Sequence, residues 1–330
     1  MKYIQLLVLS ILLPFMSCNR VEKHPVDFYY WKSNVSFGGT EQKYFDKLDS
    51  KRLYIRFFDV DVDEYSWARP KAKINLFDPS VIEAEYVPVV FITNRTFQKL
   101  NDYSLESVAK NISNLINEIC EKNSIPQVSE IQIDCDWTAS TMTNYFTFLH
   151  LLKKESEKDI SCTLRLHQIK YKDDTGIPPV NRAVLMCYAT SDPTKESDKN
   201  SILDIALLKD YTSNINSYPI NFDVALPLYS WGIVTNHLGQ VKLVNNVSKS
   251  DMDPTFFKEI KENEYEAIDD FFFQGIYMNK GFTVKTEGIS AQLLNEAKEY
   301  LDGKINKDYH IIYYHLDKPF LERFSIDELK

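Results

Sequence analysis

Short apolar runs recur along the chain, separated by helical or irregular stretches. The runs are Val26–Trp31, Arg52–Asp59, Tyr86–Thr93, Glu130–Trp137, Ile160–His167, Arg182–Tyr188, Phe222–Tyr229 and Tyr309–His315. They are rich in β-branched and aromatic residues, the composition of strands. Between them, Glu41–Leu48, Leu105–Lys122, Thr141–Lys158, Ile202–Ser213 and Ser290–Leu301 read as helices. In Leu105–Lys122 the residues Val108, Ile112, Leu115, Ile116 and Ile119 recur at helical spacing behind Ser104, a fair N-cap. Strands alternating with helices predict a parallel sheet, and eight of them predict an α/β fold closed as a (β/α)8 TIM barrel. An open doubly wound sheet is the rival. Its nucleotide-binding form wants a Gly-rich strand-to-helix turn. The chain has nine glycines and no GxGxxG, so no cofactor is expected.

Two stretches break the alternation. Asp61–Ser80 follows the second run and is long, charged and aromatic; 232–288 follows the seventh. The latter reads as a small α+β insertion within a barrel domain spanning 26–330. It holds one hairpin of Ile233–Thr235 with Val241–Val244, and a second of Phe271–Met278 with Phe282–Thr286. Both stretches leave the C-terminal ends of strands, the side on which barrel proteins build their sites.

A net charge of −9 argues against nucleic acid as a partner. At the N-terminus, Lys2 is followed by a short apolar segment, Ile4 to Phe15, too short to span a bilayer as a permanent helix. Phe15-Met16-Ser17-Cys18 comes next and resembles the lipobox of bacterial lipoproteins. That resemblance implies a signal peptide at 1–17 and a lipidated Cys18 opening a tether at 18–25. It also implies a cell-envelope location, lipid-anchored to a membrane, the outer membrane being the expected one. Cys135, Cys162 and Cys187 each sit inside an apolar run and read as buried free thiols. No CxxC or paired Cys/His spacing suggests a metal site.

The fourth run carries the candidate chemistry. With period-two alternation, Asp134 and Asp136 share one face while Ile131, Ile133 and Cys135 share the other. In a barrel the apolar face meets the helices, so both aspartates point inward. Neighbouring carboxylates in a barrel mouth repel, which raises the pKa of at least one unless a cation is close. Arg56 and Arg165 are the candidate cations, and the deeper Asp134 is expected to need one more than Asp136. His167 shares the face of Arg165. Trp31, Trp67, Trp137, Tyr188, Tyr229 and Trp231 lie at or beyond strand ends, where aromatic rings suit the apolar C–H faces of sugars.

Ile133-Asp134-Cys135-Asp136-Trp137 is similar to the strand-four signature DxxDxDxE of family 18 glycoside hydrolases. Leu185-Met186-Cys187-Tyr188 resembles that family's Met-x-Tyr-Asp, and Leu226-Pro227-Leu228-Tyr229 its Pro-x-Tyr-Gly. The barrel with an insertion after strand seven fits the same family. The resemblance implies a carbohydrate ligand, N-acetylated in that family, with Asp134, Asp136, Met186, Tyr188 and Tyr229 at the site. The departures are as informative. The catalytic Glu that closes the signature is Thr138 here, its first Asp is Ile131, and the Asp after the strand-six Tyr is Ala189. A threonine hydroxyl cannot protonate a glycosidic oxygen, and glycoside hydrolysis needs two carboxyl-type groups. Asp59, ending the second run, and Asp61 beyond it are the substitutes that the sequence offers.

The expectation is therefore an envelope lipoprotein whose barrel binds a carbohydrate at its C-terminal face, with its cleavage by an atypical hydrolase left open. In that reading Asp136, Asp134 and Asp59 are the catalytic candidates. Trp137, Tyr188, Tyr229, Trp231, Arg165, His167, Arg56 and Met186 are the binding candidates. Two alternatives are a non-catalytic glycan-binding lipoprotein and an envelope scaffold whose barrel charges are structural. The anchor is testable directly: Cys18→Ala abolishes metabolic labelling by a fatty acid, and continued labelling of the variant contradicts lipidation at Cys18.

Overall fold

The structure is a computed structural model that describes residues 24–330 apart from 127 and 196; the expected signal peptide and Cys18 lie outside the described residues. Eight strands form the barrel: β1 Val26–Tyr30, β2 Arg52–Val62, β3 Glu85–Ile92, β4 Glu130–Asp134, β5 Asp159–Arg165, β6 Arg182–Met186, β7 Asn221–Pro227 and β8 Ile311–Tyr314. Each pairs in parallel with the next, and β8 pairs in parallel with β1, so the sheet has no open seam. Helices return the chain between most strands, among them Asp102–Lys122 after β3, Met142–Ser156 after β4 and Ile205–Tyr211 after β6. The β2–β3 connection differs. There the chain folds back as a short strand, Ala68–Lys71, antiparallel to the outer end of β2, followed by a single 3-10 turn.

The pleat sorts side chains into two populations. Odd positions of β4 (Ile131, Ile133), Leu164 of β5 and Leu185 of β6 join the large core between barrel and helices, as do the buried free thiols Cys135, Cys162 and Cys187. Inward positions form the barrel's own interior, where Tyr29, Tyr54, Val87, Val89, Val184, Ala225 and Ile312 pack together. Gln132 is buried among them and its Oε1 accepts a 2.6 Å bond from the Tyr29 hydroxyl. The N-terminal end of this interior is charged. Arg52 bridges Glu85 (3.1 Å) and Glu130 (3.0 Å), and Arg182 pairs with buried Asp223. Asp27 accepts from the backbone N–H groups of Lys51 and Arg52 and meets His310 Nδ1 at 2.9 Å. Buried charges are stable only when paired, and here each has a partner from a different strand.

Strand β2 contains one irregularity with large consequences. Arg56 stands opposite Val89 and Phe58 opposite Val90, leaving Phe57 as an extra residue in the ladder. Phe57 and Phe58 both enter the outer core, fully buried. In an unbroken strand, positions 56 and 59 face opposite sides. The bulge shifts the parity by one, so Arg56 and Asp59 both face the barrel mouth.

The insertion stands after β7, as its position in the sequence predicts. A five-stranded antiparallel sheet, in the order Val241–Asn245, Trp231–Thr235, Thr283–Glu287, Glu264–Ala267, Phe257–Lys261, carries its own apolar core. The expected first hairpin is present. The second is built differently: Phe271–Phe273 pairs with Ile276–Met278, and Thr283–Glu287 instead joins Trp231–Thr235 and Glu264–Ala267. The turn is Gln274-Gly275, with φ of 48° and 78°, and two successive positive φ values close a two-residue hairpin whose twist matches its strands.

Candidate functional site

The inward positions open at the C-terminal end of the barrel into a cleft of about 840 Å³. Asp134, Thr163, Met186 and Tyr314 come from the strands themselves and form the floor. Tyr188 and Tyr229 follow β6 and β7, and Trp31 follows β1. Trp231, Asn245 and Asn246 come from the insertion, while His315, Asp317, Pro319 and Phe320 follow β8.

The aromatic rings interlock rather than stand alone. Tyr188 lies 5.5 Å from Tyr314 and 6.1 Å from Tyr229, and Tyr229 lies 5.3 Å from Trp231, centroid to centroid. Trp31 meets Tyr314 at 5.7 Å, so one wall runs from the first strand to the insertion. Trp231 is held by its indole N–H, which donates to Glu287 Oε2 at 2.9 Å. Glu287 is itself buried and takes the Ser201 N–H and hydroxyl and, on its other oxygen, Lys285 at 2.7 Å. The insertion thus presents a braced tryptophan to the barrel mouth.

Among the described residues, charges in the cleft are paired one to one, with a single exception. Arg56 grips Asp59 through two N–H groups, one at 2.7 Å, and stacks over Trp31 at 5.8 Å. Arg165 Nε faces Asp136 Oδ1 at 3.5 Å. Lys32 meets Asp317 at 2.5 Å. Asp134 is the exception, because its hydrogen-bond partner among the described residues is the Thr163 hydroxyl, at 2.6 Å. The sequence reading expected an arginine for Asp134. The structure gives Arg165 to the more exposed Asp136 instead, since Arg165 closes β5 above Thr163 and reaches the rim rather than the floor. Burial, with Asp136 and Asp59 adding to it against the Thr163 bond and Arg165, raises the Asp134 carboxyl to about 6. Burial pushes the His315 imidazole down to about 3, with Lys32 adding to the effect, so this ring is neutral at physiological pH.

Nine of the eleven catalytic and binding candidates therefore meet in one cleft: Asp59, Asp134, Asp136, Arg56, Arg165, Met186, Tyr188, Tyr229 and Trp231, with Trp31 beside them. Two do not. Trp137 is fully buried outside the barrel, stacked on Tyr145 at 4.9 Å, with its indole N–H donating to the Thr175 carbonyl at 2.8 Å. It has the same parity as Ile133 and Cys135, and that parity faces the helices. His167 lies in the short helix Leu166–Lys170, because β5 ends at Arg165 and alternation ends with it. It lines a small recess beside Arg165 and Tyr211, not the cleft. Thr138 is exposed and bonds with Ser140 (3.0 Å) and Thr141 (3.4 Å) outside the cleft. Asp61 is taken by Arg95, Thr93 and Lys71, which hold its carboxyl well below the ordinary range. Inward parity alone would have found Tyr29, Thr163 and Tyr314. Nothing in the local sequence announces Lys32, Asp317 or His315, which reach the mouth through the chain's course after β1 and β8.

The raised pKa of Asp134 has a thermodynamic sign. Its carboxyl binds a proton more tightly in the folded chain (about 6) than in the unfolded one (3.8). Stability therefore falls as pH rises from about 4 to 6, by an upper bound of roughly 3 kcal/mol. Asp134→Asn removes this penalty and keeps an acceptor for Thr163. Melts of the variant and wild type are expected to coincide at pH 3.5 and to diverge by pH 8, the variant melting higher. An equal loss of stability at both pH values contradicts the assignment.

No protein-family model matches the sequence, and no curated protein matches it. Solved structures do. The spore cortex-lytic enzyme SleL of Bacillus cereus superposes with a TM-score of 0.55 at 13% identity, over 93% of this chain and 73% of that one. A chitinase from Chromobacterium violaceum gives 0.57 at 8% identity, over 93% and 99%. The C-terminal domain of a chitinase-like protein from Desulfitobacterium hafniense gives 0.59 at 9%, again over 93% and 99%. At such identities the likeness is one of fold. The chain has the closed, glycoside-hydrolase-like barrel seen in chitinases and in this spore cortex-lytic enzyme.

Proposed function

We propose that this protein is a lipid-anchored envelope protein that binds a carbohydrate in the cleft and does not cleave it by the acid/base route of family 18 enzymes. One observation carries the reading. The cleft joins a continuous aromatic wall to a carboxylate floor, the pairing that sugar rings require, while Thr138 replaces the acid and lies outside the cleft. Aromatic faces supply contact to C–H surfaces, and polar groups below fix orientation. A purely structural barrel would plug its mouth and pair every carboxylate with a cation. Here the mouth is open and Asp134 has no cation of its own. The anchor rests on the lipobox-like residues ending at Cys18.

An atypical hydrolase is the second reading, and it rests on a different observation. Asp134 keeps its proton to about pH 6, as a general acid needs. Against it, Asp59 is clamped by Arg56 and Asp136 faces Arg165, so neither is a free partner across a scissile bond. Chito-oligosaccharides test both readings, by calorimetric binding and by release of reducing ends. Binding without release is expected, and Trp231→Ala weakens it about tenfold or more, the loss of roughly 1.4 kcal/mol of contact. Release of reducing ends that disappears in Asp136→Asn establishes the hydrolase instead. Absence of binding to these and to a broader glycan array contradicts the carbohydrate reading.

A further inference from the structure

The charges lining the cleft do not balance. Among the described residues, three cations, Lys32, Arg56 and Arg165, face four carboxylates, Asp59, Asp134, Asp136 and Asp317. Each cation is engaged by one carboxylate: Lys32 by Asp317, Arg56 by Asp59, Arg165 by Asp136. His315, the remaining basic side chain, is neutral. The surplus negative charge falls on Asp134, which is nine-tenths buried, lines the cleft floor, and is hydrogen-bonded through Oδ1 to the Thr163 hydroxyl. A carboxylate buried without a cation is costly, and the deficit is met by a proton or by a positive charge on the ligand.

We propose that the cleft selects glycans bearing a free amino group, with the sugar ammonium seated against Asp134. The inference rests on the carbohydrate reading and narrows it. Three features favour an ammonium over other complements. An acidic sugar would need an unoccupied arginine or lysine, and all three in the cleft are already paired. A metal ion would need several converging ligands, and among the described residues no group of three His, Cys, Asp or Glu side chains is placed to hold one. The walls above Asp134 are the faces and edges of Tyr188, Tyr229, Tyr314 and Trp31, and aromatic faces attract organic cations. An N-acetyl group in the same position offers no charge to Asp134, and its carbonyl accepts a hydrogen bond only while that carboxyl is protonated. A charge-assisted bond to a desolvated carboxylate is stronger than a neutral one, which sets the preference at about tenfold.

The experiment is calorimetric titration of the full chain with tetrasaccharides of glucosamine and of N-acetylglucosamine, for wild type and Asp134→Asn. The glucosamine form is expected to bind wild type about tenfold more tightly. Asp134→Asn removes that advantage, so that the variant binds the two forms with affinities within about twofold of each other. Raising the salt concentration weakens the glucosamine complex alone, a readout independent of whether the variant folds well. Equal or tighter binding of the acetylated form by wild type overturns the proposal while leaving the carbohydrate reading standing. So does a glucosamine affinity unchanged by Asp134→Asn. Calcium chloride binding that Asp134→Asn abolishes would assign the surplus charge to a metal ion. If neither sugar nor any glycan binds, both readings fall together.

Discussion

A closed barrel gives its inward side chains one shared, enclosed volume, and the rest of this molecule follows from how charge is settled inside it. Strands that pair all the way round leave no edge through which a buried ion can reach water. Every inward carboxylate must therefore find a cation, a hydrogen-bond donor or a proton. At the N-terminal end the solution is complete: Arg52 with Glu85 and Glu130, Arg182 with Asp223, His310 with Asp27. Tyr29, Tyr54, Gln132 and their apolar neighbours close the middle. At the C-terminal end the solution is left one positive charge short, and it is left short where the barrel opens to a ligand-sized space.

Much of this was readable in the sequence. Alternation along Glu130–Asp136 sorts Glu130, Gln132, Asp134 and Asp136 from Ile131, Ile133 and Cys135, and the same rule on the other runs yields the barrel interior almost residue by residue. The insertion announced itself as a stretch too long for a turn. What alternation could not yield were its own interruptions. The extra residue at Phe57 is invisible in Arg56-Phe57-Phe58-Asp59, because two consecutive phenylalanines suit either face of a buried strand. Yet that bulge brings Arg56 and Asp59 to one side. His167 was misplaced for the converse reason, since its strand ended two residues sooner than its apolar run. Trp137 stands near a strand end, where a ring could serve a ligand, yet its parity turns it to the helix side of the sheet. Side chains from outside the strands, such as Lys32 and Asp317, depend on loop paths that no local pattern encodes.

The same geometry explains how the cleft is held together. The floor with Asp134 is held by strands, and the aromatic wall by strand ends and the braced insertion. Thr138 lies just beyond the end of β4, where the chain has left the sheet and turns toward the Met142–Ser156 helix. There Thr138 serves the local hydroxyl network of Ser140 and Thr141. The electrostatics of the cleft are set instead by its floor.

The claim on which the account turns is that Asp134 is a buried carboxyl with no cation paired to it among the described residues. Its ionisation can be followed directly, by carboxyl-carbon NMR of protein labelled at aspartate, with Asp134→Asn used to assign the resonance. The account predicts a midpoint near 6 in the ligand-free protein. A midpoint at or below the ordinary aspartate value of about 4 would mean that a positive charge already compensates this group, and would contradict the account.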